Sequence, residues 1–178
     1  MKDFLVVVDM QKDFVDGALG SAEAVSIVPA AVKKIKQFTG DIFVTFDTHF
    51  VNYMETAEGH KLPVPHCIRN TEGWQLNNEV AVALAQKPYT PVEKLTFGSV
   101  DLPGLIKEKA GTEPFRIQLI GLCTDICVVS NVLLTKAFCP EIDITVDASC
   151  CAGVTPQTHE AALTTMKSCQ ITVIGEDK

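Results

Sequence analysis

The stretch GLCTDICVVSNVLLTKA, residues 121–137, joins two patterns. Phe115 to Ile120, leading into it, is an apolar β-rich run, and Asp125 to Phe138 has helical spacing. The spacing predicts a strand, a tight turn and a helix, with two cysteines, a threonine and an aspartate packed into the turn. Cys127 falls in the first turn of that helix, where unpaired backbone N–H groups and the positive end of the helix dipole lie. Both features favour a thiolate and would lower the thiol pKa. Two readings stand for Cys127: a nucleophile with backbone oxyanion donors beside it, or a small buried hydrophobe. Asp125 likewise reads either as a helix cap or as a site residue.

The same alternation runs along the chain. Apolar strand-like runs fall at Phe4 to Val8, Ile42 to Phe46, Thr90 to Glu93, Phe115 to Ile120, Ile142 to Val146 and Ile171 to Ile174. Helical spacing is read at Val25 to Phe38, Trp74 to Lys87, Leu105 to Lys109 with its start near Asp101, Asp125 to Phe138, and Pro156 to Lys167. Residues 49–73 are irregular and rich in His, Pro and Gly. The strands are continuous apolar runs rather than alternating ones, the mark of strands covered on both faces. The expected fold is therefore α/β: a three-layer α/β/α sandwich around a mostly parallel sheet of about six strands, formed by one domain over residues 1–178.

In such sheets, ligands bind beyond the carboxyl ends of the strands. Those positions hold Asp9, then Asp47 and His49, then Lys94, then Cys123, Asp125 and Cys127. Polar and reactive groups thus collect at one edge of the sheet, although strand ends also carry polar residues by default.

Composition narrows the class. The chain is 47% hydrophobic with a formal net charge of −7. It has no basic stripe to neutralise phosphates, which argues against nucleic acid. No run reaches the roughly 18 apolar residues of a membrane span, and the N-terminus lacks a signal-peptide layout. Seven scattered cysteines without a CxxC pair read as reduced thiols in a cytoplasmic chain rather than a disulfide framework.

GLCTDICV resembles the nucleophile motif of the isochorismatase-like cysteine hydrolases, a family that includes the nicotinamidases. Further segments are similar, in the family's order: VVVDMQKDFVDGAL at 6–19, TFDTHF at 45–50, PVPHC at 63–67, VEKLTFGS at 92–99 and VDASCCAGVTPQTHEAAL at 146–163. The resemblance implies a triad of Asp9, Lys94 and Cys127, with Asp9 as the general base and Lys94 as the neighbouring cation. It also implies backbone oxyanion donors at Cys123 and Cys127, and a cis peptide at Leu122–Cys123. The family more often has alanine where Cys123 stands. Asp47, His49 and His66 match the metal stretches of nicotinamidases and imply a divalent ion, zinc, iron or manganese, with Glu58 or His60 as a fourth ligand. The bland alternative is a set of loop histidines with no ion.

Phe14 and Trp74 are the aromatic candidates for stacking on a flat substrate, with a core anchor as the other reading of Trp74. Gln11 and Asp13 are expected to organise the loop after the first strand, and His159 reads as structural. The implied activity is hydrolysis of a small amide through a cysteine thioester, nicotinamide to nicotinate and ammonia. Another small amide or an N-carbamoyl compound is the alternative, because Lys61 to Pro65 lacks the tryptophan that nicotinamidases usually carry there. Isochorismatases proper lack the cysteine. A thiol or metal sensor is the reading from another class; it leaves Asp9 and Lys94 unexplained. Partners implied are a small-molecule substrate and, from the family's habit, a homo-oligomer.

Overall fold

Alternate residues of the first strand feed two different cores. In this computed structural model, which describes residues 1–176, β1 (Lys2–Val8) sends Leu5 and Val7 into one apolar cluster and Phe4, Val6 and Val8 into another. Val6, Val7 and Val8 are wholly buried, worth about 1.5–3 kcal/mol for each such side chain. A strand covered on both faces in this way belongs in the middle of a parallel sheet.

The other strands are β2 (Asp41–Asp47), β3 (Tyr89–Lys94), β4 (Phe115–Leu122), β5 (Asp143–Ala152) and β6 (Thr172–Ile174). Their order is β3-β2-β1-β4-β5-β6, and every pairing is parallel. On one face pack α1 (Lys12–Val15), α2 (Ala22–Gln37) and α4 (Asn78–Leu84), with Ile27, Ala31, Ile35, Val80 and Leu84 in the core. On the other pack α5 (Leu102–Ala110), α6 (Val129–Phe138) and α7 (Pro156–Ser168), through Leu102, Ile106, Val132, Leu163 and Met166. A short helix α3 (Ala57–Lys61) and a 3-10 turn (Tyr53–Glu55) lie in the segment after β2. The three-layer architecture and the six-stranded parallel sheet are those expected from the sequence.

The topology positions the site. From β1 the chain runs outward through β2 to β3, then returns to β4 on the other side of β1. The loops after β1 and β4 therefore part at the switch point, where open α/β sheets bind ligands. Asp9 follows β1 there, and the Cys127 turn follows β4. Gly121 lets the two strands meet: its φ is +120°, and a Cβ would stand 2.1 Å from the Val8 carbonyl oxygen. An alanine there would force β4 away from β1 beside Asp9.

Local chemistry moved several boundaries. Helix α2 starts three residues before Val25, because the Ser21 hydroxyl accepts from the Ala24 N–H and caps it. The helix expected from Trp74 to Lys87 is shorter. Asn77 caps it, accepting from the Glu79 N–H. The preceding residues pair with the β1 loop instead, through the Gln11–Leu76 bridge and the Asn77 N–H bond to Met10 O. Strand β5 runs past Val146 to Ala152 after a register shift against β4. Asp147 breaks its apolar pattern in the sequence, but Lys34 Nζ sits 2.7 Å away and neutralises it.

Candidate active site

Asp9 follows β1 in the left-handed region, at φ 47°, a conformation that aspartate tolerates better than most residues. Its carboxylate is wholly buried. Oδ1 accepts from the Thr45 hydroxyl at 2.6 Å, and Lys94 Nζ lies 2.7 Å from Oδ2. Apart from that ion pair, Oδ2 accepts no directed hydrogen bond among the described residues. Lys94, the last residue of β3, also reaches Asp47 Oδ1 at 3.0 Å, Cys127 Sγ at 3.5 Å and the Thr96 carbonyl at 3.1 Å. The three residues named for the triad are thus brought together from three different strand ends.

The electrostatics run against one sequence expectation. Burial, and then the charge of Asp9, push the Cys127 thiol well above its ordinary value, with Lys94 opposing. The predicted thiolate-favouring turn does not prevail, because Cys127 is buried beside a carboxylate. Burial likewise raises Asp9, with Asp47 adding to the effect and Lys94 opposing it. For Lys94 burial works against the charge, but Asp9, Cys127 and Asp47 overcome it and hold the ammonium above its usual range. Cys123 is pushed up to about 12 by burial and by Asp125.

The turn carrying Cys127 is a π-type turn over Thr124–Val128, preceded by a cis Leu122–Cys123 peptide as the resemblance implied. The Ile126 and Val128 N–H groups both donate to the Cys123 carbonyl. Asp125 does not cap this turn. Its carboxylate accepts from the Val154 N–H, at 3.1 and 3.2 Å to its two oxygens. Asn131, one helical turn beyond Cys127, donates to the Cys127 carbonyl at 2.8 Å and accepts from the Ser99 N–H at 2.9 Å. It ties the segment after Lys94 to the turn that carries Cys127.

A second cluster adjoins the first. Asp47, His49, Glu58 and His66 each place one ligand atom within 4.8 Å of the others, and no other such group of three or more occurs among the described residues. His49 Nε2 is 3.1 Å from Asp47 Oδ2 and 3.6 Å from Glu58 Oε1, while His66 Nε2 is 3.7 Å from each of those oxygens. A tetrahedral ion with ligands near 2.1 Å sets neighbouring donors about 3.4 Å apart, so the spacing fits a divalent cation. His66 Nδ1 donates to the Val64 carbonyl at 2.8 Å. In the neutral ring that bond leaves Nε2 with its lone pair toward the cluster. Of the two candidates for a fourth ligand, Glu58 joins the group and His60 is exposed. Gln11 fixes Asp47 by accepting from its N–H at 2.8 Å and donating to its carbonyl at 2.9 Å. Asp13 holds the Cys67 N–H, next to His66, at 2.7 Å.

Both clusters open on a cavity of about 230 Å³ whose lining includes Phe14, Phe97, Ile126, Cys127, Glu58 and His66. Phe14 lines that cavity, with its ring 5.4 Å from that of His66. Trp74 departs from the expected stacking role. It is outside that lining, packs on Phe46 at 5.4 Å, and donates its indole N–H to Thr48. Sequence reasoning missed Thr45 and Asn131. Thr45 was detectable as the polar residue inside the apolar run Ile42 to Phe46.

The model of the isochorismatase domain matches residues 3–177. The chain belongs to the isochorismatase family. An uncharacterized isochorismatase family protein, PncA of Bacillus subtilis, is 30% identical over 142 residues, 72% of this chain and 75% of that protein. The crystal structure of nicotinamidase/pyrazinamidase PncA from Bacillus subtilis superimposes with a TM-score of 0.84 at 26% identity, covering 97% of this chain and 99% of that one. N-carbamoylsarcosine amidase from Thermoplasma acidophilum gives a TM-score of 0.77 at 25% identity, over 100% of this chain and 98% of that one. The isochorismatase-family fold of this chain carries no helix long and apolar enough to cross a membrane among the described residues.

Proposed function

We propose that this isochorismatase-family protein is a cysteine amidohydrolase that converts nicotinamide to nicotinate and ammonia. The observation that carries this reading is the position of Lys94, 2.7 Å from Asp9 and 3.5 Å from Cys127 beside an apolar cavity. Asp9 takes the Cys127 proton as the sulfur adds to the amide carbon, and the backbone N–H groups of Cys123 and Cys127 receive the developing oxyanion. The intermediate collapses as protonated Asp9 gives its proton to the leaving nitrogen, which departs as ammonia. Asp9 then takes a proton from water as the water attacks the thioester. The acid product leaves, and Cys127 recovers its proton. Lys94 keeps Asp9 ionised at the start and balances the negative charge that passes between carboxylate and sulfur.

Asp47, His49, Glu58 and His66 would hold a divalent ion, with zinc favoured by the nitrogen and oxygen donors and iron or manganese as alternatives. When bound, the ion would supply a Lewis-acid position for a ring nitrogen. Phe14 would stack on the ring and Phe97 would close the cavity against water.

An N-carbamoyl amidase is the second reading, favoured by the likeness to N-carbamoylsarcosine amidase. The cavity speaks against it: no arginine or lysine belongs to its lining, and Lys94 is already held by Asp9 and Asp47. A substrate carboxylate would find no lysine or arginine side chain in that lining. The sensor reading fares worse, because it leaves the buried ion pair of Asp9 and Lys94, 3.5 Å from Cys127, without a role. Ammonia release from nicotinamide, pyrazinamide, benzamide and N-carbamoylsarcosine separates these readings. Turnover of the first two, poor turnover of benzamide and none of the last supports nicotinamidase activity. Equal turnover of benzamide and nicotinamide overturns it.

A further inference from the structure

The turn that presents Cys127 is held from outside the triad. Thr124 is wholly buried, and its hydroxyl lies 2.8 Å from His159 Nδ1 on α7. The turn is of the π type, wound wider than an α-helix, with the Ile126 and Val128 N–H groups both on the Cys123 carbonyl. Side-chain anchors add to that backbone frame. A second anchor comes from the same part of the chain, in the bond from the Val154 N–H to Asp125. Gly153 permits this arrangement. A Cβ there would meet His159 N at 2.9 Å and its Cα and Cβ at 3.0 Å. Any larger residue would push the segment after β5 off the helix that carries His159.

We infer that His159 is a positioning residue: its hydrogen bond to Thr124 sets the turn so that the Cys127 sulfur and the oxyanion donors face the same point. The Thr124 hydroxyl can donate or accept, so either neutral tautomer of His159 sustains the bond. Burial pushes His159 below the ordinary histidine value, against the charges of Glu160, Asp125 and Glu176.

The inference rests on Cys127 being the nucleophile, and the test separates the two claims. His159→Ala, His159→Asn, Thr124→Val and Thr124→Ser are compared for kcat and KM with nicotinamide. The rate at which iodoacetamide labels the Cys127 peptide is followed by mass spectrometry. Misplacing a reacting group by about 1 Å costs on the order of 100-fold. The expected result for His159→Ala and Thr124→Val is therefore a drop in kcat of about 10- to 100-fold, with KM within about twofold. His159→Asn keeps a hydrogen-bonding atom near the Nδ1 position, and Thr124→Ser keeps the hydroxyl; both recover most of the rate. The double variant His159→Ala/Thr124→Val is expected to be no worse than either single one, since the two residues act through one bond. Wild-type kcat in His159→Ala, equal loss in His159→Asn, or additive losses in the double variant would overturn the inference. If the wild type does not turn over nicotinamide, the substrate reading fails. The labelling rate then tests His159 by itself: slowed in His159→Ala and restored in His159→Asn supports it, and unchanged in both overturns it.

Discussion

Lys94 Nζ lies 3.0 Å from one carboxylate oxygen of Asp47, while the other oxygen of Asp47 faces His49 at 3.1 Å. One carboxylate thus borders both the triad and the four-residue cluster. Against its burial, the hydrogen bonds from His49 and His66 and then the charge of Lys94 hold Asp47 well below the usual carboxylate range. Asp47→Ala should therefore lose both metal and turnover. Glu58→Gln should lower metal content, whereas His60→Ala should leave it at about one ion per chain. Elemental analysis of protein prepared without chelators reads all three, and normal metal in Asp47→Ala would break the link.

Replacing Lys94 should be a stability lesion as well as a functional one. Lys94→Met leaves Asp9 and Asp47 buried without their shared cation. Removing one partner from a buried ion cluster costs about 3–5 kcal/mol. Urea denaturation of metal-loaded protein should show that loss, and a midpoint equal to wild type would contradict the geometry.

The two cysteines of the turn should separate cleanly. Cys127→Ala should abolish ammonia release with circular dichroism unchanged. Cys123→Ala should keep most of the activity, because only its backbone N–H has a role. Equal losses in the two variants would reverse the assignment.

The pH profile should report Asp9. A general base works when deprotonated, so kcat/KM should rise as pH rises through the apparent pKa of Asp9. Burial raises that pKa, so the acid limb should have its midpoint above the ordinary value of 3.8. Asp9→Asn should lose about 100-fold or more on the plateau above that limb and lack the limb itself. A midpoint at or below 3.8 would contradict the buried-base assignment.

Much of this was legible from residues 4–8 and 117–137, where apolar runs covered on both faces dictate a parallel sheet and a strand-to-helix turn. Asp9, Lys94 and Cys127 were among seven residues readable at strand ends, which converge in such a sheet; the family resemblance singled out these three. The Asp47, His49 and His66 set came from spacing and resemblance, but Glu58 and His60 were equivalent in the sequence. Only the turn of α3, in contact with the 3-10 segment before it, brings Glu58 inward. The electrostatic setting of Cys127 was not legible for a physical reason. A helix N-terminus is visible in the sequence, while burial against a carboxylate from another strand is not. The extension of β5 was hidden by Asp147, whose partner Lys34 lies on α2.

The most direct test of the central claim is an acid quench of the protein during turnover of nicotinamide, followed by peptide mass spectrometry. The account predicts a nicotinoyl group on the Cys127 peptide, absent in Cys127→Ala and absent when nicotinamide is omitted. Ammonia release that proceeds undiminished in Cys127→Ala, or an acyl group found on Cys123 instead, would contradict it.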